Sequence, residues 1–191
     1  MNLKKKFDNI KFIDCILCNK SDILEILDIR NENSIRNNMF NTKLISKEDH
    51  LNWFGKIKNC DSNKFYLIKY NIKIIGGLGL KEKNHKKNYF EWSFYISQKI
   101  KIFSLGALIE FKALNYFFYN YKVTNLFCYV LKKNHTVINL HKKFGFNEVN
   151  LDENFNILYP EIHLKDVVYL LLDKSRWNII NKKFNNKFFD T

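Results

Sequence analysis

The chain has 191 residues and a formal net charge of +13, from 32 Lys and Arg against 19 Asp and Glu. Its length predicts a single domain over residues 1–191 with a buried core, and no apolar run is long enough to span a membrane. The basic N-terminus contains no apolar signal-peptide core, so we expect a cytoplasmic protein with no membrane partner.

The first half of the chain predicts a strand, two helices and three further strands. Ser46 and Asp49 fit a capping box, in which the first side chain accepts a backbone N–H of the helix that follows. Asn71 fits the turn of a hairpin. In chain order the predicted elements are a strand at 11–17, helices at 21–30 and 46–57, and strands at 65–70, 73–80 and 89–96.

The second half predicts alternating helices and strands. In chain order these are an apolar helix at 105–119, a strand at 125–131, a short helix after residue 134, strands at 146–151 and 167–172, and a helix at 175–188. Residues 175–191 form a polar C-terminal tail whose helix is expected to fray. This order predicts an α/β protein, in α+β form, with a mixed sheet and helices on both faces.

The positive charge does not by itself indicate nucleic-acid binding. Lys, Asn, Ile and Phe are abundant while the chain has only 6 Gly and 1 Pro, as an AT-rich coding sequence would produce. The Lys residues are also spread along the chain rather than gathered in one stripe. We therefore predict no nucleic-acid partner, although a positive field favours a small polyanion as ligand.

The cysteines predict structural rather than chemical roles. Cys15 and Cys18 have the spacing of a zinc or redox site, but no second ligand pair lies at a suitable distance. A strand at 11–17 would also point the two side chains to opposite faces. We predict no metal site, and reduced thiols fit a cytosolic protein. No Cys or Ser shows a nucleophile-plus-base pattern, so a reaction through a covalent enzyme intermediate is not expected.

Residues 134–146 carry the most specific pattern of the chain. Asn134 is a favourable helix N-cap, and Gly145 suits the left-handed position just past a helix end. Spacings of three and four predict that Val137, Leu140 and Phe144 share the buried face. His141 is predicted to lie at the margin of that face.

A second pattern lies upstream, at residues 101–107. Gly106 and Ala107 are small residues at the start of a predicted helix, where backbone N–H groups can approach a phosphate. Ser104 fits this loop only if its backbone angles suit a side chain. Lys101 adds a point charge.

These two segments resemble signatures of the GNAT superfamily, the GCN5-related N-acetyltransferases, and the order of elements is the same from about residue 11 to 177. The resemblance implies the GNAT fold, with a central seven-stranded mixed sheet, acetyl-CoA as cosubstrate and acetyl transfer to an amine. It implies that the cofactor is bound by Phe94, Ile96, Lys101, Ser104, Gly106, Ala107, Asn134 and His141.

The resemblance also implies the catalytic groups. His141 stands where the family usually has Tyr, near the CoA sulfur, so it is the candidate acid that protonates the leaving thiolate. The alternative is that His141 packs beside the cofactor. Glu91 is the candidate base, because the family places its strand beside the acetyl group, and a solvated strand carboxylate is the alternative. Trp92, on the same strand, is expected to contact the acceptor.

A finer resemblance concerns the acceptor. Residues 30–39 and 45–54 are similar to the acetyltransferases of pseudaminic acid synthesis (PseH type), which act on the 4-amino group of a UDP-linked amino-dideoxy sugar. Asn38 departs from this pattern, since many relatives have Trp there. Arg30 and His50 match positions that hold the nucleotide sugar, and the Arg fork suits a diphosphate. For Arg30 the alternative is a cation at a helix C-terminus.

Two other functions remain open at this point. Acetyltransferases of ribosomal-protein N-terminal alanines share a looser version of the same opening, so a peptide N-terminus is the alternative acceptor. Ser104 and His141 depart from the family pattern, so a degenerate domain that binds CoA without turnover is the second alternative. The resemblance leaves homodimer formation open.

Overall fold

The computed structural model describes residues 2–84, 88–150 and 166–189. Its strands are β1 (Ile10–Asp14), β2 (Asn63–Tyr70), β3 (Lys73–Asn84), β4 (Tyr89–Ile96), β5 (Asn125–Leu131), β6 (Asn147–Val149) and β7 (Val167–Asp173). Its helices are α1 (Leu3–Asp8), α2 (Lys20–Arg30), α3 (Asn33–Arg36), α4 (Lys47–Lys58), α5 (Leu105–Asn115), α6 (His135–Lys143) and α7 (Lys174–Phe189). These elements confirm the predicted α/β class.

The strands form one seven-stranded sheet in the order β1-β2-β3-β4-β5-β7-β6. Strands β1, β2 and β3 pair antiparallel in sequence, and so do β5, β7 and β6. Strands β4 and β5 are parallel, because α5 carries the chain from one to the other. The sheet is therefore mixed, as predicted.

The chain divides into two compact units, one made of Met1–Lys81 and Ser93–Gly106 and the other of Glu82–Trp92 and Ala107–Thr191. In the first unit, the buried side chains of α2 pack with those of β2 and β3. In the second, fully buried Phe111, Phe117 and Phe118 belong to α5 and to the π-helical turn Tyr116–Asn120 that follows it. The predicted helix at 105–119 thus changes its hydrogen bonding after Asn115.

The end of the first predicted strand was wrong. Strand β1 ends at Asp14, whose side chain caps a 3-10 turn, Cys15–Leu17, by accepting the N–H of Ile16. The turn brings Cys15 and Cys18 into the same hydrophobic cluster instead of pointing them to opposite faces. Both thiols are free and buried, and burial raises the pKa of Cys15 to about 11. Buried protonated thiols behave as small apolar side chains.

Local capping signals were more dependable than element ends. The predicted cap at Ser46 is confirmed, because its side chain accepts the N–H of Asp49. Helix α2 begins one residue after Asn19, which caps it in place of the predicted Ser21. Strand β6 is shorter than the predicted strand at 146–151, whose last residue, Leu151, lies outside the described residues.

The C-terminal helix is anchored by buried aromatic side chains. Trp177 is completely buried and its ring packs against Phe111, Phe118 and Phe144. Phe184, two turns further on, stacks on Phe144 at 4.4 Å between ring centroids. The polar composition of this segment hid these aromatic anchors. Over the described residues, no helix combines the length and apolarity needed to cross a bilayer.

Candidate active site

The loop that leads into α5 forms a concave surface in the first unit. A cavity of about 340 Å³ is lined by residues 96–98 and 100–103, among them the exposed Lys101. The N–H of Leu105 bonds to the carbonyl of Ile102 at 3.2 Å and closes the turn that starts the helix. This is the loop that the sequence predicted to bind phosphate.

The first turn of α5 contains Gly106 and Ala107, both half-buried. The first N–H groups of an α-helix have no carbonyl partner within the helix, and the helix dipole adds partial positive charge at the same end. An anion that approaches this turn can therefore accept backbone hydrogen bonds. The arrangement suits a pyrophosphate.

Ser104, just before α5, has a left-handed backbone with φ of 65°. A residue with a Cβ pays a steric cost there that Gly does not. The loop geometry is thus kept although Ser stands where the family has Gly. The sequence alone could not tell whether the backbone angles at Ser104 would suit a side chain.

Ser104→Gly is expected to raise the free energy of unfolding by about 1 kcal/mol, because it removes the left-handed strain. Urea unfolding gives the measurement, as a higher midpoint at unchanged slope. Ser93→Gly is the matched control: Ser93 lies in β4 without positive φ, so this variant should be less stable than wild type. An equal loss of unfolding free energy in both variants would contradict the conclusion that the backbone of Ser104 is strained.

Strand β4 pairs with β5 over only part of its length. The register runs from Tyr89↔Asn125 to Glu91↔Phe127 and ends there, whereas β4 continues to Ile96. Backbone groups of residues 93–96 on this edge are therefore not used by the β4–β5 ladder. Phe94 and Ile96, both half-buried, lie in this stretch, where the resemblance expects the backbone to bind the cofactor.

Glu91 and Trp92 are neighbours in β4 and point to opposite faces of the sheet. The carboxylate of Glu91 lies 2.7 Å from the Lys83 ammonium and also accepts a hydrogen bond from the Tyr129 hydroxyl. Trp92 faces the other way and is 1% exposed. Because its indole is buried in the core, Trp92 could contact the acetyl acceptor only through its backbone groups.

On the Trp92 side, His141 forms a buried ion pair with Glu110. Nδ1 of His141 lies 2.7 Å from Oε1 of Glu110, and the two residues are 4% and 0% exposed. Burial lowers the pKa of His141, but its interactions with Glu110 and Cys128 together outweigh burial and raise that pKa to about 10. His141 is therefore an imidazolium at neutral pH.

This geometry corrects the predicted orientation of α6. The residues that α6 buries are Ile138 and His141, whereas Val137 and Leu140 are half-exposed. The imidazole is thus central to the buried face and not at its margin. Its ring centroid lies 5.3 Å from that of Trp92. The two candidate catalytic groups, Glu91 and His141, are on opposite faces of the second unit's sheet and are not brought together.

Two partners of His141 were missed by the sequence analysis. Glu110 interrupts the apolar run from Leu108 to Phe111, which was the available signal. Cys128 of β5 hydrogen-bonds the His141 ring, so a Cys–His contact exists that the sequence did not reveal. The thiol is 4% exposed, and an imidazolium cannot deprotonate it.

The N-cap of α6 and the turn that follows the helix both have the predicted structure. Asn134 caps the helix by accepting the N–H of Val137 at 3.4 Å, and Gly145 takes a left-handed φ of 94° just past the helix. A side chain at Gly145 would also meet Ile180 of α7 at 2.1 Å. Position 145 therefore excludes any larger residue.

Arg30, at the end of α2, is a partly desolvated cation in the first unit. Its Nη2 donates weakly to the Asn41 carbonyl at 3.4 Å, and its buried Nη1 has no hydrogen-bond partner among the described residues. Burial lowers the pKa of the guanidinium, Tyr95 opposes this shift and Arg36 adds to it. A cation without a carboxylate in the described part of the chain can bind an external anion.

His50 lies inside the helix packing of the first unit. It is 5% exposed, its Nε2 donates to the Ile23 carbonyl at 2.9 Å, and its ring stacks on Trp53. Burial lowers its pKa, which the hydrogen bond to Ile23 only partly opposes. His50 thus holds α4 against α2. It would influence acceptor binding only indirectly, through the positions of these two helices.

The segment after Arg30 is tied to the loop that follows β4. Ser97, 5% exposed, donates to both carboxylate oxygens of Glu32 at 2.8 and 3.0 Å. Lys99 lies 3.3 Å from the same carboxylate. Arg36 donates to the Thr42 carbonyl at 2.6 Å and holds the other end of the segment. This network was not visible in the sequence.

Comparison with known proteins gives a consistent picture. A family model described as acetyltransferase (GNAT) domain matches residues 16–157. The curated acetyltransferase PseH of Campylobacter jejuni (strain 81-176) is 28% identical over 137 residues, which cover 72% of this chain and 84% of the relative. The family match spans most of the chain.

Solved structures share the fold. The C. jejuni N-acetyltransferase PseH in complex with acetyl coenzyme A has a TM-score of 0.65 at 24% identity, covering 86% of this chain and 99% of that chain. The spermidine N-acetyltransferase of Vibrio cholerae in complex with CoA and spermine has a TM-score of 0.74 at 17% identity, covering 90% and 99%. The mixed sheet and its helices are thus those of known acetyltransferases.

Proposed function

Because the chain belongs to the GNAT acetyltransferase family, we propose that its acceptor is the 4-amino group of a UDP-linked amino-dideoxy sugar of the pseudaminic acid type. The reaction class is that of the family: the protein is an acetyl-CoA-dependent N-acetyltransferase. The acceptor proposal rests on the Arg30 and His50 segments and on similarity to PseH.

The residues present fit acetyl-CoA. The first-turn amides of Gly106 and Ala107 offer donors for a pyrophosphate, and the exposed Lys101 adds positive charge beside the cavity of the preceding loop. The β4 edge beyond Glu91 has backbone groups that the β4–β5 ladder does not use. Acetyl-CoA supplies the acetyl thioester that the amine attacks.

His141 is the proposed proton donor. As an imidazolium it carries the proton that a departing thiolate needs, and direct attack by the amine requires no covalent enzyme intermediate. Glu91 is the proposed base, and because it lies on the sheet face opposite His141 it would accept the amine proton through water. Its pairing with Lys83 means that it must weaken this contact to do so.

The electrostatics of the chain support an anionic acceptor. Spermidine acetylation is the competing function, because the Vibrio cholerae enzyme shares the fold. A net charge of +13 repels a polycation and attracts a diphosphate. The desolvated Arg30, with its unpartnered Nη1, is the single observation that carries the proposal, since the guanidinium fork binds two phosphate oxygens.

The acceptor is tested by a side-by-side assay of the purified protein with acetyl-CoA. The acceptors are a UDP-linked 4-amino-4,6-dideoxy sugar, spermidine, and short peptides that begin with Ala, Ser or Met. Acetylation should be fastest with the amino sugar nucleotide. Faster acetylation of a peptide or of spermidine would refute the sugar proposal and leave the reaction class intact.

Arg30→Ala is expected to raise the KM for the nucleotide sugar about tenfold or more, since a charge-assisted hydrogen bond contributes about 1.5–3 kcal/mol. The KM for acetyl-CoA should stay within about twofold of wild type, as a separate loop is proposed to bind it. Arg30→Lys is the matched control: it keeps the charge but loses the fork, so its KM should be intermediate. Unchanged acceptor KM in Arg30→Ala would assign Arg30 to the helix end alone.

A further inference from the structure

The chain between α2 and α4 is closed on itself by polar contacts. The side chain of Asn31 donates to the carbonyl of Ile45 and accepts the N–H of the same residue, both at 2.9 Å. Arg36 donates to the carbonyl of Asn31 at 3.1 Å. Because its two ends are joined in this way, the 31–45 segment forms a compact loop, which we call the 31–45 loop. It begins directly after Arg30, the proposed ligand of the acceptor.

The carboxylate of Glu32 joins this loop to the loop that follows β4. The hydroxyl of Ser97 lies 2.8 and 3.0 Å from its two oxygens. Ser97 is itself held in place, since its N–H donates to the carbonyl of Ile75 at 2.8 Å. Ser97 also lines the cavity of the loop after β4. One side chain therefore lies between the proposed cofactor loop and the 31–45 loop.

Stability explains this contact poorly. The side chain of Glu32 is only 11% exposed, and a carboxylate that loses its hydration is costly unless hydrogen bonds replace it. Among the described residues its side-chain donors are one hydroxyl, from Ser97, and one ammonium, from Lys99 at 3.3 Å. The Lys99 side chain is 81% exposed, and such pairs contribute little to stability. What the carboxylate connects is the better explanation.

The 31–45 loop is held mainly by polar contacts. Of its residues only Ile35 is buried, and this side chain packs in the hydrophobic cluster of the first unit. Segments with few buried apolar contacts open at a low cost in free energy. The loop can therefore exchange between a docked arrangement, in which Glu32 contacts Ser97, and an arrangement without that contact.

We propose that Glu32 is a positioning residue that couples the acceptor site to the cofactor site. CoA in the loop after β4 fixes Ser97, and an acceptor nucleotide between Arg30 and the 31–45 loop fixes Glu32. Both ligands favour the docked arrangement, so each strengthens the binding of the other. This inference rests on the proposed function, which assigns the nucleotide to Arg30 and the cofactor to the loop after β4.

Equilibrium titration with UDP and CoA tests the coupling. UDP has no amine and CoA has no acetyl group, so no reaction disturbs the equilibrium. In wild type, saturating CoA should lower the Kd for UDP about fivefold or more, and saturating UDP should lower the Kd for CoA by the same factor, because coupling is reciprocal. In Glu32→Ala this factor should fall to about one.

Two further variants separate coupling from a merely structural role. Glu32→Gln keeps an oxygen that can accept the Ser97 hydroxyl, so it should retain part of the factor. Glu25→Ala is the matched control, since it removes an exposed carboxylate from α2, and it should leave the factor at the wild-type value. If Glu32 only maintained the fold, Glu32→Ala would raise the Kd for UDP equally with and without CoA, and the factor would not change.

Amide hydrogen exchange tests the coupling without any acceptor. CoA alone should slow exchange over residues 33–45 of wild type, and this protection should be absent in Glu32→Ala. Unchanged exchange there in wild type, a UDP–CoA factor of one in wild type, or an unchanged factor in Glu32→Ala would each overturn the proposal. If UDP does not bind at all, the nucleotide-sugar acceptor is wrong, and the exchange measurement alone decides the role of Glu32.

Discussion

Gly106→Glu should abolish acetyl-CoA binding while the protein stays folded. The substitution places a carboxylate in the first turn of α5, where the pyrophosphate is proposed to bind, and two anions cannot share those N–H groups. The same carboxylate interacts favourably with the helix dipole, so the helix itself should not be weakened. The expected loss is therefore specific to the ligand.

Thermal unfolding with and without acetyl-CoA measures this loss. A ligand at about 100 times its Kd adds about 2.7 kcal/mol to native stability, which corresponds to about 5–10 °C in a chain of this size. Wild type should show this shift and Gly106→Glu should show none. Gly55→Glu is the matched control, because Gly55 lies in α4 with open space around a new Cβ. If Gly106→Glu binds acetyl-CoA as well as wild type does, the proposal that the pyrophosphate binds at this loop is wrong.

Local signals in the sequence predicted much of the fold. The Ser46 cap, the hairpin at Asn71 and the Asn134 to Gly145 helix all depend on residues a few positions apart, whose side chains act on their own backbone. Strands β4 and β5 were predicted at the bounds that the structure shows. These features need no knowledge of tertiary packing.

Tertiary contacts account for what the sequence did not reveal. His141 is buried because Trp92 and Phe146 approach it from β4 and from the end of α6. Glu110 is 31 positions away from it in the chain, so no local pattern joins the two. The α7 helix was expected to fray because its composition is polar, yet one residue, Trp177, is completely buried.

His141→Phe is expected to lower kcat by about 100-fold or more, since a positioned acid contributes roughly 10²–10⁴-fold. The affinity for acetyl-CoA should change little, because phosphate and backbone contacts elsewhere are proposed to bind it. Steady-state kinetics gives kcat, and equilibrium titration with CoA gives the affinity. A large loss of affinity with normal kcat would make His141 a packing residue.

The same substitution leaves Glu110 buried without its cation, and this has a second consequence. Removing one partner of a buried ion pair costs about 3–5 kcal/mol, so His141→Phe should be much less stable than wild type at neutral pH. Burial raises the pKa of Glu110, and without the imidazolium that rise is unopposed. The carboxyl is then protonated more readily in the folded than in the unfolded state, so stability should recover as pH falls towards 5.

The double variant His141→Phe with Glu110→Gln separates stability from catalysis. It removes both charges together, so most of the lost unfolding free energy should return at neutral pH. It still lacks a proton donor at position 141, so kcat should remain as low as in His141→Phe alone. Turnover that recovers with stability would show that the single variant was inactive because it was poorly folded, and His141 would then have no role as an acid.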